Sequence, residues 1–161
     1  MYSKYEMAFR FLGMLGAGIL AFQAGFGADI ITGFPGESEG DFRAARGFLA
    51  DSPLNYFHVF SYSPRPGTPA SSWERVDTAV VRSRTSDLRS LSFEKSRAFR
   101  SSLLGRRFEA VVIRNTEGRL ELLTSNYIKV LASGRGHPEG EAVSVTLDRV
   151  DDRLTYGSLG E

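Results

Sequence analysis

Two short segments of this 161-residue chain combine glycine, proline and charged side chains in a way that suits ligand binding. The first is Gly33-Phe34-Pro35-Gly36-Glu37, in which the glycines allow the backbone to turn tightly and approach a ligand while the proline stiffens the turn. The second is residues 61–69, SYSPRPGTP, in which three prolines make a stiff loop around Arg65. Both segments predict a binding edge, although turn geometry alone would also explain the glycines.

The charged side chains of these segments each allow two interpretations. Glu37 can hydrogen-bond a hydroxyl or amino group of a ligand, or it can stabilise the positive end of a following helix. Arg65 can bind a carboxylate or a phosphate bidentately, or it can form a structural ion pair with Asp29 or Glu37.

The elements that must position these segments follow from the residues around them. Residues 28–32 are rich in β-branched side chains and predict a short strand. Ser38 lies three residues before Asp41, as in a capping box, and predicts the start of a helix over 39–50 that Pro53 ends. Residues 54–62 are nearly all apolar and predict a strand buried on both faces. Together they predict a βαβ unit with both glycine- and proline-bearing loops at the carboxyl edge of its parallel strands.

Several side chains of this unit have predicted places. The apolar face of the helix is expected to comprise Phe42, Ala45, Phe48 and Leu49. His58 is expected to be a core histidine, because it lies within the buried strand. Trp73 follows the second loop and is expected to anchor one module against the next.

A long helix is predicted over 77–104, with Asp77 as its N-cap and Gly105 just past its end. Residues 75–107 carry nine Arg or Lys against three Asp or Glu, which makes this part of the chain strongly basic. The basic side chains can form an ordinary solvated face or a patch for nucleic acid. The expected apolar stripe comprises Val81, Leu88, Leu91, Phe99 and Leu103, and the expected polar surface comprises Arg82, Arg84, Arg89, Lys95, Arg97 and Arg100.

Beyond Gly105 the pattern changes from helical to alternating. Strands are predicted at 108–113, 120–124, 127–131 and 142–147, with a fifth at 153–157. Short strands at this spacing predict a small closed β-barrel of the OB type, a class that includes many nucleic-acid-binding domains. Residues 108–161 carry six basic and nine acidic side chains, so any affinity for nucleic acid must come from a local cluster such as Arg106, Arg107, Arg119 and Lys129.

The composition excludes some chemistry and leaves one segment open. The chain has no cysteine, so it can supply no disulfide, no thiolate zinc site and no cysteine ligand to an iron–sulfur cluster, and no metal site is predicted. Residues 11–28 carry no charge over 18 positions, which is the lower limit for a membrane span and also suits a signal peptide. Five glycines in this run favour a buried helix, turn and strand instead.

The motifs ADIITGFPGESEGDF, YFHVFSYSPRPGTPA, EKSRAF, GRRFEAVV and LTSNYIKV, in this order, resemble the carboxyl-terminal half of the radical S-adenosylmethionine methylthiotransferases. These enzymes add a methylthio group to an adenosine beside the tRNA anticodon or to a ribosomal protein. The resemblance implies that residues 1–72 are the end of a partial TIM-like radical domain with parallel strands, 73–104 a connecting basic helix, and 105–161 a TRAM barrel.

Three motifs narrow the resemblance to one branch of the superfamily. Arg65-Pro66-Gly67 stands where the ribosomal-protein branch typically has an acidic segment, which points to a tRNA substrate. His58-Val59-Phe60 and residues 124–130 look most like the MtaB type, which acts on N6-threonylcarbamoyladenosine. The MiaB type, which acts on isopentenyladenosine, is the alternative.

The resemblance also implies ligands and partners. The turn from Gly33 to Glu37, with Arg65, would bind S-adenosylmethionine, and Arg106, Arg107, Asn126, Tyr127 and Lys129 would bind the tRNA anticodon stem-loop. Because Tyr127 and Ile128 alternate, Ile128 is expected to face the barrel core. The family's [4Fe–4S] clusters need cysteine motifs that this chain lacks, so we expect it to be inactive alone and to depend on the missing cluster and radical portion. We expect a cytoplasmic protein without a membrane span.

Two other classes of protein remain open. The chain can be a non-catalytic RNA-binding module that keeps the barrel and the basic helix for tRNA contact. It can also be an anchored protein whose segment 11–28 lies in a bilayer.

Overall fold

The computed structural model describes residues 23–160, which form a βαβ unit, a long helix and a barrel. Strand β1 (Gly27–Thr32), helix α1 (Glu39–Asp51) and strand β2 (Tyr56–Ser61) come first. The two strands pair in parallel, from Gly27 beside Tyr56 to Thr32 beside Ser61. The predicted capping box is confirmed, since the Asp41 N–H donates to Ser38 Oγ at 3.1 Å and the Ser38 N–H donates to Asp41 Oδ2 at 3.0 Å.

The first core lies between the strand pair and the helices. Phe42 and Leu49 of α1 are buried against Phe57 and Val59 of β2 and against two leucines of the long helix. Phe48 is 47% exposed, so its predicted place in the apolar face is wrong. An amphipathic helix buries only the stripe of side chains that faces the core, here Phe42 and Leu49, and Phe48 lies beside this stripe.

Strand β2 is buried on one face only, contrary to the prediction. Phe57 and Val59 face the core, while Tyr56, His58 and Phe60 face outward, because successive side chains of a strand point to opposite sides. His58 is therefore exposed, lying edge-on to the Tyr56 ring at 5.7 Å, and its prediction as a core histidine is wrong.

A short 3-10 helix (Pro69–Ser72) leads to the long helix α2 (Thr78–Ser102). Asp77 is its N-cap as predicted, since its Oδ1 accepts from the Ala79 N–H at 2.8 Å and the Val80 N–H at 3.2 Å. The helix ends earlier than expected, with Leu103 as the C-cap. Gly105, at φ +76°, instead donates its N–H to Leu147 O at 2.8 Å and so joins the helix end to the barrel.

The predicted barrel is confirmed as a closed five-stranded barrel in the order β3-β4-β5-β7-β6. Within the barrel only β5 and β7 pair in parallel, through Leu131 and Tyr156. The core is formed by inward side chains of the strands together with Leu103 from the end of α2. The strands are β3 (Arg107–Thr116), β4 (Arg119–Thr124), β5 (Lys129–Ser133), β6 (Ala142–Val150) and β7 (Thr155–Leu159).

Most of the apolar run at 11–28 lies outside the described residues, so its predictions as a membrane or export segment are untested there. Within residues 23–160, no helix has the length and apolar character needed to cross a bilayer.

Candidate functional site

The first glycine turn is a tight, partly buried turn between β1 and α1. Gly33 and Gly36 have φ of +79° and +81°, and the Glu37 N–H donates to Phe34 O at 2.9 Å. A side chain at Gly33 would also lie 2.6 Å from a methyl group of Val81, so both the backbone and the space require glycine there. Pro35 is buried beneath the turn, whereas Phe34 is 39% exposed.

Glu37 is held from several sides by the protein itself. Its Oε2 accepts from the Gly33 N–H at 2.8 Å, the Thr32 hydroxyl at 3.3 Å and Arg84 Nη1 at 2.7 Å. Its other carboxylate oxygen accepts no hydrogen bond from the described residues. Glu37 therefore stabilises the turn with one oxygen and leaves the other available for a ligand.

Arg84 is the partner that sequence reasoning missed. Its side chain is only 7% exposed, it also bonds Glu39 at 3.2 Å, and its guanidinium lies over the Phe42 ring at 5.2 Å. The prediction that Arg84 belongs to the polar surface of the helix is wrong. Its spacing from Val81 and Leu88 places it on the buried stripe of α2, which is the signal that could have revealed it.

The second loop lies beside the first, as the sequence predicts for a parallel strand pair. The Tyr62 N–H donates to Thr32 O at 2.8 Å, and Phe34 contacts the Tyr62 ring edge-on at 5.1 Å. Trp73 also contacts Phe34 edge-on, at 6.0 Å, and it helps line an open groove of about 520 Å³ beside Gly36. Trp73 therefore packs on the first glycine turn, and its role as an anchor between modules stays a prediction.

Arg65 lies exposed on the second loop, whose backbone is fixed because the Thr68 N–H and hydroxyl both donate to Arg65 O. In the described part of the chain it pairs with neither Asp29 nor Glu37, so the predicted structural ion pair is wrong. Glu37 pairs with Arg84 instead.

The predicted RNA-binding residues of the barrel lie at one end of it. Arg106 and Arg107 are exposed at the start of β3, and Lys129 is exposed at the start of β5. The Lys129 neighbour on β4 is Leu123, whereas Arg119 lies at the opposite end of that strand beside Ser133. The four basic residues therefore do not form one cluster.

The turn before β5 presents one aromatic side chain to solvent. Tyr127 is 78% exposed and adopts a φ of +64°, while Ile128 is 5% exposed in the core, as predicted. Asn126 is engaged at both ends of its amide, because Oδ1 accepts from the Thr124 hydroxyl at 2.5 Å and Nδ2 donates to Gln23 O at 2.8 Å. Asn126 therefore shapes the turn that displays Tyr127.

The basic side chains of α2 mostly bond other parts of the chain. Arg89 donates to Val59 O at 3.1 Å, and Lys95 Nζ donates to the carbonyls of Ala50 and Ser52 at the end of α1, at 2.8 and 2.9 Å. A purely solvated face therefore does not describe these residues, and the alternative, a patch for nucleic acid, stays a prediction. Arg82 remains exposed.

Arg100 fastens the helix to the barrel. Its guanidinium donates to Leu154 O and Asp152 O at 2.9 Å each, to the Thr155 hydroxyl at 3.2 Å and to Asp151 O at 3.4 Å. Burial lowers the pKa of Arg100, and the nearby Asp151 carboxylate opposes that shift. A fixed orientation of the barrel on α2 follows from this set of bonds.

That orientation encloses a groove of about 560 Å³ between β2, α2 and the barrel. Its walls carry aromatic and basic side chains from all three, which suits a planar, negatively charged ligand. Among residues 23–160, no group of three or more His, Asp or Glu side chains is placed to hold a metal ion. The aromatic and basic lining includes Tyr56, His58, Phe93, Tyr127, Lys129 and Arg153.

The chain has two modules, a parallel βαβ unit and a small closed barrel, and one helix joins them. The basic and aromatic groove at their junction has the chemistry to bind nucleic acid. Comparison with curated proteins gives the family. The chain is 37% identical to the threonylcarbamoyladenosine tRNA methylthiotransferase MtaB of Aquifex aeolicus over 109 residues, 67% of this chain and 26% of that protein. It is 39% identical to the tRNA-2-methylthio-N(6)-dimethylallyladenosine synthase of Parafrankia sp. over 128 residues, 78% of this chain and 26% of that protein. The MtaB of Bacillus subtilis is 32% identical over 126 residues, 74% of this chain and 28% of that protein.

The chain is therefore a partial member of the methylthiotransferase superfamily that includes the MiaB, MtaB and RimO types, and it spans about a quarter of the length of these relatives. No protein-family model matches it. Among solved structures it aligns with Mycoplasma genitalium RNase R in complex with ribose-methylated single-stranded RNA at a TM-score of 0.39 and 12% identity. That alignment covers 50% of this chain and 17% of the other.

Proposed function

We propose that this chain is the carboxyl-terminal part of a tRNA methylthiotransferase, with residues 1–72 at the end of a TIM-like radical domain and residues 105–161 as a TRAM barrel that binds tRNA. The observation that carries this proposal is the 37% identity to an MtaB over two thirds of the chain. The parallel strand pair and the closed barrel are consistent with such a division.

The preferred substrate is tRNA with N6-threonylcarbamoyladenosine beside the anticodon. Arg65-Pro66-Gly67 and the segment 124–130 support the MtaB type, and MtaB proteins are among the relatives. Because dimethylallyladenosine synthases match at similar identity, that substrate is the alternative.

S-Adenosylmethionine fits the glycine turn of this chain. Glu37 Oε1 accepts no hydrogen bond from the described residues and can accept one from an amino or hydroxyl group, and a groove of about 520 Å³ opens beside Gly36. Gly36 has open space where a side chain would stand, so the backbone there can be approached closely. When bound, S-adenosylmethionine is the methyl donor and the source of the radical. The residues of this chain would orient it, with Arg65 on the neighbouring loop as a partner for its carboxylate or for an RNA phosphate.

The iron–sulfur clusters do not fit this chain, because it has no cysteine to hold them. We therefore assign to this chain the binding and orientation of S-adenosylmethionine and tRNA, while a cluster-bearing portion outside it supplies the radical step. The proposed location is the cytoplasm. The same lack of cysteine favours one second candidate, a non-catalytic module that binds tRNA alone.

A segment exchange tests the proposed function. Residues 23–160 replace the matching segment of the Bacillus subtilis MtaB in cells that lack their own enzyme, and tRNA nucleosides are analysed by mass spectrometry. We expect the methylthio group to return to N6-threonylcarbamoyladenosine. The same exchange into the Parafrankia synthase tests the alternative substrate.

The exchange needs a control for folding, which is the absorbance of the iron–sulfur clusters in the purified chimaera. A soluble, cluster-loaded chimaera without any methylthio product in either host would refute the enzymatic role. If the full chain still bound tRNA in that case, the non-catalytic tRNA-binding module would be the remaining candidate function.

A further inference from the structure

Two open grooves of this molecule join into one trough along α2. The groove at the barrel junction and a second one of about 910 Å³ share Arg89, Phe93, Asp152 and Arg153 among their lining residues. The second groove continues to Arg82, near the start of the helix. The trough therefore begins at the exposed Tyr127 of the barrel and extends along the helix toward the glycine turn.

The helical floor of the trough is one stripe of α2. Arg82, Arg89, Phe93 and Arg97 are spaced by seven, four and four residues, a spacing that places them on one face of a helix. Arg82 and Arg97 are fifteen positions apart, which is about 22 Å along the helix at 1.5 Å per residue and gives room for several extended nucleotides.

The trough is electropositive. Six basic side chains line it, against the acidic Glu94 and Asp152. Arg97 and Asp152 pair at 3.3 Å with more than half of each side chain exposed, so this ion pair is weak and can give way to a phosphate. The basic residues are Arg82, Arg89, Arg97, Arg100, Lys129 and Arg153.

Aromatic rings are exposed between these charges. Tyr127 is 78% exposed at one end, and Phe93 is 39% exposed at the middle. Tyr127 holds a left-handed backbone conformation, which costs a residue of this size free energy and is typical of functional positions. Exposed rings between cations are the arrangement by which proteins bind unpaired bases and their phosphates.

We propose that this trough binds a single-stranded RNA segment that leaves the barrel and continues along α2, with Tyr127 and Phe93 as stacking surfaces and Arg82 and Arg153 as phosphate contacts. This inference rests on the proposed function, since it extends the RNA surface of the barrel. It also places the strand against the helix, away from Arg106 and Arg107 as the main contacts.

The test measures the fluorescence anisotropy of a labelled anticodon stem-loop RNA on titration with the full chain. Tyr127→Ala is expected to weaken binding about 5- to 150-fold, because one base loses its stacking partner. Arg82→Ala with Arg153→Ala is expected to reduce the slope of log K against log salt by about 1.4, at about 0.7 per phosphate contact. The matched control is Arg119→Ala with Arg135→Ala, two exposed basic residues at the opposite end of the barrel.

The outcomes separate this inference from the proposed function. Loss of affinity in the trough variants with unchanged control binding supports the trough. Loss only on Arg106→Ala with Arg107→Ala, or equal affinity for a fully paired RNA duplex, overturns the trough and leaves RNA binding by the chain in place. Failure of the unmodified chain to bind any RNA overturns both RNA binding and the trough. Far-ultraviolet circular dichroism of each variant shows that the fold is retained.

Discussion

Replacing Arg84 with methionine tests how the glycine turn is held. The substitution keeps most of the side-chain volume but leaves the Glu37 carboxylate, which is 15% exposed, without its cation. Removing one partner of a buried ion pair costs about 3–5 kcal/mol. Because Glu37 keeps the Gly33 N–H and the Thr32 hydroxyl as donors, we expect the lower end, about 3 kcal/mol.

The chain contains its own reporter for this loss. Trp73 is the only tryptophan, and it packs against Phe34 of the turn. With a denaturant slope of about 1.5 kcal/mol per molar urea for a small unit, a loss of 3 kcal/mol lowers the midpoint of the Trp73 fluorescence transition by about 2 M. Circular dichroism follows the barrel separately.

Arg82→Met is the matched control, since Arg82 lies exposed on the same helix. A midpoint for Arg84→Met that equals that of the control would refute the buried ion pair as a source of stability. Adding Glu37→Gln to Arg84→Met should restore part of the loss, because the amide leaves no uncompensated charge.

Three further predictions concern the barrel and its junction. Gly157→Ala should lower the barrel's unfolding temperature strongly by circular dichroism, because a Cβ there would overlap Thr146 O. Arg100→Met should increase hydrogen exchange in residues 151–155, since four acceptors lose their donor. The hydrogen bond from the Leu154 N–H holds the pKa of Asp151 below its ordinary value. Asp151 therefore contributes stability above about pH 4, and this stability is lost as the pH falls through the lowered pKa. An acid titration followed by circular dichroism measures the loss.

Each of these predictions has a control variant or an outcome that would contradict it. Gly136→Ala meets no atoms, although its φ of +79° strains an alanine, so it should cost less than Gly157→Ala. Exchange in residues 151–155 that stays as slow in Arg100→Met as in the unmodified chain would contradict the clamp. Asp151→Asn should flatten the acid titration, and an unchanged titration would contradict the assignment to Asp151.

Local sequence signals predicted the helices and strands well where the signal lies within the element itself. Ser38 with Asp41 and Asp77 marked the two helix starts, and strict alternation marked the five barrel strands. The places of His58 and Phe48 could not be predicted in this way. Whether the second face of a strand or the edge of a helix stripe is covered depends on neighbours that a local pattern does not contain.

The candidate site was harder to predict from the sequence, because its polar groups pair over long sequence distances. Glu37 and Arg84 are 47 residues apart, and Asn126 and Gln23 are 103 residues apart. Charged residues appear free in a sequence until their partners are known. The spacing of Arg84 from Val81 and Leu88 was the local sign that its side chain is buried. Counting Arg84 with the other basic residues of the helix led to its assignment to the polar surface.

Helix α2 contributes to two cores, with Leu88 and Leu91 in the first and Leu103 in that of the barrel. Each added residue turns a helix by about 100° and lengthens it by about 1.5 Å. One residue inserted between Leu91 and Phe99 would therefore rotate the barrel by more than a quarter turn while leaving both cores intact. Tyr127 and Lys129 would then face away from Arg82, so the number of residues in this helix, as much as their identity, decides whether the two halves of the trough meet.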